Sequence, residues 1–211
     1  MHFKKANVLY PILDAGFLAG VKDRAGFLRR IVLGLAEAGV GILQYRNKTG
    51  DEAEILADAR VMREAADSRI LLILNDWPEL AVEAGFDGVH VGQTDVGPAE
   101  ARAIVGPEKI VGLSTHNEAQ LRAADLEPVD YIAVGPVYAT VTKENPDPVV
   151  GLEGVRLARS LTRKPLVAIG GITSENAAAV LEAGADSVAV ISGIFAPGGD
   201  PAKLVRNFPR R

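Results

Sequence analysis

The amino-acid sequence predicts a single (β/α)8 barrel spanning residues 1–211. Short apolar runs of strand length recur eight times, and each is followed by a segment of helix length. The chain of 211 residues also fits one domain with a full core and leaves little room for a second. Composition agrees: 48% of residues are hydrophobic but only 5% aromatic, with Gly, Ala and Val abundant, as close-packed helices on a buried parallel sheet require. An open doubly wound sheet of seven or eight strands is the runner-up.

In chain order the strand-like runs are Val8 to Leu13, Gly41 to Tyr45, Ile70 to Leu74, Gly88 to Val91, Ile110 to Leu113, Tyr131 to Val134, Leu166 to Ile169 and Ser187 to Ile191. Between them apolar residues fall at helical spacing, for example Ile31, Leu35 and Ala38, then Ile55, Ala59 and Met62, then Val155, Ala158 and Leu161. Asp51 with Glu54 and Asn117 with Gln120 have the spacing of capping boxes, and Asp200 precedes Pro201 at a first helical position. The Ala-Gly pairs at 38–39, 84–85 and 183–184 mark helix ends that turn back into strands.

A barrel of this kind builds its site from the loops after the strands' C-terminal ends, so the polar residues there carry the functional reading. After the second run, alternation puts Gln44, Arg46 and Lys48 on one side, and two cations on an inward face require an anionic partner. The third run ends in Asn75-Asp76, where Asp76 with Glu79 and Pro78 also reads as a helix cap. The fourth ends in HVGQTD, and because Gly97-Pro98 can start the next helix, Asp95 is left for other work. Asp76 and Asp95 thus lie on consecutive loops, where hard oxygen ligands can share a Mg2+ with substrate phosphates. The fifth run supplies Ser114, expected to point inward, and His116, expected to shape its loop. His90, inside a strand, reads as a satisfied packing residue.

The sixth run leads into GPVYATVTK at 135–143, whose Thr140, Thr142 and Lys143 offer two hydroxyls and an ammonium suited to a phosphate. Taken alone, the tetrapeptide reads more simply as a solvated loop. The seventh and eighth runs end in Gly170-Gly171 and Ile191-Ser192-Gly193, the place where barrels frequently bind a phosphate on backbone amides.

These stretches resemble the thiamine phosphate synthase family. The resemblance rests on QYRNK at 44–48, LND at 74–76, GVHVGQTD at 88–95, GLSTHN at 112–117, GPVYATVTK at 135–143, AIGGI at 168–172 and AVIS at 189–192, in family order across nearly the whole chain. It implies a transferase that joins a hydroxymethylpyrimidine diphosphate to a thiazole phosphate with release of pyrophosphate. Gln44, Arg46, Lys48, Asn75, Ser114 and Lys143 would hold the diphosphate substrate, with Arg46, Lys48, Ser114 and Lys143 as the catalytic set, and Asp76 and Asp95 would hold Mg2+. Thr140, Thr142, the Gly171 amide, Ile191 and Ser192 would receive the thiazole phosphate. Tyr45, Asn47 and Val141, inside the matched motifs, are counted with the substrate-binding positions. Asn47 stands where the family often has an acidic residue and Thr94 where it often has Glu. A thiazole tautomerase-like barrel and a non-catalytic phosphate-ligand sensor are the rival readings.

A formal net charge of -4, with no basic run longer than two residues, argues against nucleic acid or an anionic membrane as partner. The absence of cysteine excludes disulfides and thiolate chemistry and fits a cytoplasmic protein. The apolar run near the N-terminus is broken by Pro11 and Asp14, too short for a signal peptide or membrane span. Partners are expected to be small molecules, and a homo-oligomer is left open.

Overall fold

A computed structural model describes residues 8–140, 147–195 and 200–210. The strands are β1 Leu9–Asp14, β2 Ile42–Arg46, β3 Leu71–Asn75, β4 Gly88–Val91, β5 Ile110–Thr115, β6 Tyr131–Val134, β7 Leu166–Ile169 and β8 Ser187–Val190. The helices that follow them are α1 Arg24–Glu37, α2 Glu52–Ala66, α3 Pro78–Glu83, α4 Pro98–Val105, α5 Glu118–Leu126, α6 Gly151–Leu161, α7 Ala177–Glu182 and α8 Pro201–Leu204. Every strand pairs in parallel with its sequence neighbours, and β8 returns to β1, so the sheet closes. Closure disposes of the open-sheet alternative.

Alternation along each strand divides the apolar residues between two cores. Inward-facing Ile12, Ile42, Ile73, Ile110 and Val167 fill the barrel with Tyr10 and Tyr131. Their outward neighbours, such as Leu13, Leu43, Leu72 and Leu74, pack under the helices. Asp51 and Asn117 cap α2 and α5 as their spacing requires, and Asp200 caps α8. Gly39, Gly85 and Gly184 take the left-handed backbone that ends a helix.

One internal repeat was not read from the sequence. Asp87, Asp130 and Asp186 each stand just before an even-numbered strand, in FDGVHV, VDYIAV and ADSVAV. Each carboxylate accepts the first or second backbone N–H of the preceding strand, from Leu72 at 2.8 Å, Val111 at 2.8 Å and Leu166 at 3.0 Å. Each also pairs with an arginine from the helix that precedes that strand: Arg63 on α2 at 2.9 Å, Arg102 on α4 at 2.5 Å and Arg159 on α6 at 2.8 Å. The three clamps sit at the strands' N-terminal ends and fix strand to helix at the face opposite the loops of interest.

Candidate active site

The C-terminal mouth of the barrel opens into a cavity of about 830 Å3 lined from every strand. From β2, Gln44, Arg46 and Lys48 all reach it, as their alternation requires. The residues between them do not: Tyr45 and Asn47 turn into the helical layer, which corrects their side chains' expected place among the binding groups. There the Tyr45 hydroxyl bonds Asp58, Arg24 donates to Asp58 at 2.8 Å, and Asn47 Nδ2 donates to Tyr45 at 3.2 Å and to Glu54 at 3.0 Å. Both Tyr45 and Asn47 are buried. The same alternation that aims the cations inward anchors their neighbours behind the strand.

Asp14, at the end of β1, is register partner to Arg46 and forms an ion pair with it, while its other oxygen accepts from Gly16 N–H at 2.9 Å. It escaped the sequence reading because nothing local marks it; only the β1–β2 pairing brings it to Arg46.

Asp76 is not a helix cap. Trp77 occupies the N-cap position of α3 and offers no side-chain cap, while Asp76 itself takes a left-handed backbone at φ 72°. Its N–H donates to the His90 carbonyl at 2.8 Å, which ties this backbone conformation, one that Asp tolerates better than most residues, to the end of β4. Its carboxylate turns into the cavity, meets Lys48 and hydrogen-bonds to Asp95. Asp95 also accepts Gly92 N–H at 2.8 Å. Burial, then the neighbouring Asp95, pushes Asp76 up to about 6 against the pull of Lys48. For Asp95, burial is outweighed by the bonds from Asp76 and Gly92, which hold it below the ordinary carboxylate value.

Among the described residues no cluster of three or more acidic, His or Cys ligands forms. The Asp76–Asp95 pair, with a proton and a lysine drawn onto it, is instead an oxygen donor set that a hard cation can take over. That fits magnesium, which uses one or two carboxylates and completes its shell with water and substrate oxygens.

The cavity floor is polar where a barrel interior is usually aliphatic. Gln44 donates to the Tyr10 hydroxyl at 3.0 Å, and the Tyr10 and Tyr131 hydroxyls lie 2.9 Å apart. Tyr131 meets His90 Nδ1 at 2.8 Å, and His90 Nε2 meets Ser114 Oγ at 2.8 Å. Ser114 does face inward, and His90 is satisfied by hydroxyls as expected, but it also lines the site. Burial presses His90 down to about 4, so the ring is neutral at neutral pH. His116 shapes its loop by bonding the Gly135 carbonyl at 2.7 Å.

Opposite the carboxylates, the β6 and β7 loops are stitched together. Val137 and Tyr138 N–H donate to the carbonyls of Ile169 and Gly170 at 2.9 and 3.0 Å. Gly170 and Gly171 take positive φ, and a Cβ on Gly170 would lie 2.5 Å from Pro136, so glycine is needed for this approach. Thr140, Gly171, Ile191 and Ser192 line this side, as does Asn75 on the other. Val141, Thr142 and Lys143 lie outside the described residues.

A parallel barrel with cations and paired carboxylates on one side of its mouth and glycine-rich loops on the other is a phosphate-handling barrel enzyme. The chain belongs to the thiamine monophosphate synthase family, whose model matches residues 9–194. It is 51% identical over 200 residues to the thiamine-phosphate synthase of Koribacter versatilis, covering 95% of this chain and 93% of that relative. It is 42% identical over 174 residues to the enzyme of the same name from Agrobacterium fabrum, covering 80% and 79% of the two chains. Among solved structures it superposes on thiamine phosphate pyrophosphorylase from Pyrococcus furiosus with a TM-score of 0.80 at 26% identity, over 96% and 94% of the chains. No described helix is long and apolar enough to cross a membrane.

Proposed function

We infer that this protein is a thiamine-phosphate synthase, condensing 4-amino-2-methyl-5-(diphosphooxymethyl)pyrimidine with thiazole phosphate to give thiamine phosphate and pyrophosphate. Alongside family membership, the observation that carries the reading is the convergence of Arg46, Lys48, Asp76 and Asp95 from the ends of three consecutive strands. Two cations beside two carboxylates suit a diphosphate that arrives with a metal; a monophosphate needs fewer groups.

In this reading Asp76 and Asp95 hold Mg2+. Bound there, the ion supplies positive charge to the diphosphate oxygens. Arg46, kept in place by Asp14, and Lys48 hold those oxygens from β2, with Asn75 and Ser114 as hydrogen-bonding neighbours and Lys143 assigned to the same group. The bond between the pyrimidine methylene carbon and the diphosphate oxygen breaks, and its electron pair leaves with pyrophosphate. The thiazole nitrogen then forms the new carbon–nitrogen bond to the methylene cation. No protein nucleophile is required, in keeping with a chain that has no cysteine. Rate comes from charge stabilisation and from holding the two reactants together. Thr140, Thr142, the Gly171 amide and the Ile191-Ser192 turn are assigned to the thiazole phosphate. We assign the enzyme to the cytoplasm on its cysteine-free composition.

The test combines purified protein, Mg2+ and both substrates, and follows thiamine phosphate and pyrophosphate with an EDTA control. Equal, metal-dependent formation of the two products supports the synthase. Binding of thiazole phosphate without product supports the sensor or tautomerase-like reading instead.

A further inference from the structure

The floor of the cavity contains five side chains in one unbroken hydrogen-bond chain, Gln44, Tyr10, Tyr131, His90 and Ser114, with every link between 2.8 and 3.0 Å. We propose that this chain is polarised in one direction by the Gln44 amide, so that Tyr10, Tyr131 and His90 act as positioning residues that present the Ser114 hydroxyl to the substrate as a hydrogen-bond donor.

The argument starts at Gln44, whose amide nitrogen can only donate. It donates to Tyr10, and a hydroxyl that accepts a hydrogen bond becomes the stronger donor in its next one. Tyr10 therefore donates to Tyr131, and Tyr131 in turn donates to His90 Nδ1. A neutral imidazole that accepts at Nδ1 carries its proton on Nε2. Nε2–H then donates to Ser114 Oγ, whose own hydrogen is directed into the cavity.

Neutrality of the ring follows from its setting: His90 is 8% exposed, and both its ring nitrogens meet uncharged hydroxyls. Stacking on Tyr131, with ring centroids 5.5 Å apart and planes 20° from parallel, prevents the imidazole from turning. Tyr131 is in turn held edge-on by Tyr10, at 5.9 Å and 75°. The rigid rings leave the hydrogens as the adjustable part of the network. Run the other way, the chain would make Ser114 donate to His90 and offer the substrate only an acceptor, which is wrong for a phosphate oxygen.

The consequence for turnover rests on the synthase reading and on Ser114 as a substrate contact; the tautomer itself does not. The 211-residue chain, labelled with 15N-histidine, contains three histidines, and the His90→Gln variant assigns the His90 signals. Long-range 1H–15N correlation is expected to show His90 as the Nε2–H tautomer, and Gln44→Leu, which removes the polarising donor, is expected to yield a mixture. An Nδ1–H tautomer in the wild type, or a tautomer unmoved by Gln44→Leu, overturns the proposal whether or not the protein makes thiamine phosphate. In the synthase assay, Tyr131→Phe keeps the ring and is expected to lower kcat/KM about tenfold, the effect of one lost hydrogen bond. In a Ser114→Ala background the same change is expected to do nothing further. Equal losses in both backgrounds would mean that Tyr131 acts on packing alone and would overturn the positioning role. Absence of turnover in the wild type, with the tautomer as expected, would refute the synthase reading and leave the polarised chain standing.

Discussion

Gly112, in the middle of β5, is register partner to Tyr131 on β6, and the substitution Gly112→Ala tests how the floor of the site is seated. A Cβ there would lie 2.0 Å from Tyr131 Cζ and 2.4 Å from its hydroxyl, where carbon atoms ordinarily stay about 3.5 Å apart. The ring would have to move by roughly 1.5 Å to restore ordinary contact. It cannot do so and keep bonds of 2.9 Å to Tyr10 and 2.8 Å to His90. Overpacking costs about 1–3 kcal/mol and two buried hydrogen bonds about 1 kcal/mol each, for a total of roughly 3–5 kcal/mol. At about 2–4 °C per kcal/mol for a chain of this size, Tm should fall by on the order of 10 °C. Calorimetry on Gly112→Ala measures this, with Gly97→Ala as control, since nothing lies within 4 Å of a Cβ at Gly97. Adding Tyr131→Leu to Gly112→Ala should recover much of the Tm without recovering turnover, because it relieves the clash and leaves the hydrogen-bond chain broken. A Gly112→Ala protein with wild-type Tm and turnover would refute the packing described for Tyr131.

Asp76→Ala and Asp95→Ala should each abolish Mg2+-dependent turnover while far-UV circular dichroism stays unchanged; wild-type rates in either at limiting Mg2+ would remove the metal assignment. Lys143→Ala should lower kcat through weaker charge stabilisation on the leaving group, and an unchanged kcat takes it out of the mechanism. Acid stability should respond to His90. With a folded value near 4 against an ordinary 6.5, the unfolded chain binds the extra proton, so stability falls as pH drops through that window by on the order of 3 kcal/mol. Asp76, raised from 3.8 to about 6, acts in the opposite sense as pH drops, so the quantity to measure is the difference between wild type and His90→Gln. Parallel pH–Tm curves for the two proteins would mean that His90 does not carry the effect.

Much of the site was legible because alternation and strand ends are local features. Gln44, Arg46 and Lys48 were placed on one face by period alone, and Asp76 and Asp95 by their position just past apolar runs. The same rule, applied fully, would have turned Tyr45 and Asn47 away, since their odd positions put them behind β2. What could not be read was anything that depends on closure. Tyr10 and Tyr131 are 121 residues apart, and each alone is an aromatic residue in an apolar strand. Asp14 becomes a partner of Arg46 only through β1–β2 register, and His90 becomes part of the site only when β4, β5 and β6 are side by side.

The two ends of the barrel divide the work between stability and chemistry. At the N-terminal end, Asp87, Asp130 and Asp186 each tie a strand's backbone to an arginine on a helix, and their arginine partners lie near the ends of α2, α4 and α6. Such a carboxylate is consumed by structure: removing Asp130 takes the charge partner from Arg102, which keeps only backbone carbonyls, and takes the acceptor from the Val111 N–H. Asp130→Ala should therefore cost roughly 2–4 kcal/mol and lower Tm without changing KM for either substrate. At the C-terminal end Asp76 and Asp95 face each other, and burial, with Asp95 beside it, pushes Asp76 up to about 6 against the pull of Lys48. Two acids held against each other, with only a half-exposed lysine as counter-charge, can take a cation in place of the shared proton, whereas an acid fixed by an arginine and a strand amide is already committed. If Asp130→Ala were to shift KM while sparing Tm, that division would be wrong, and the repeat would belong to the site and not to the scaffold.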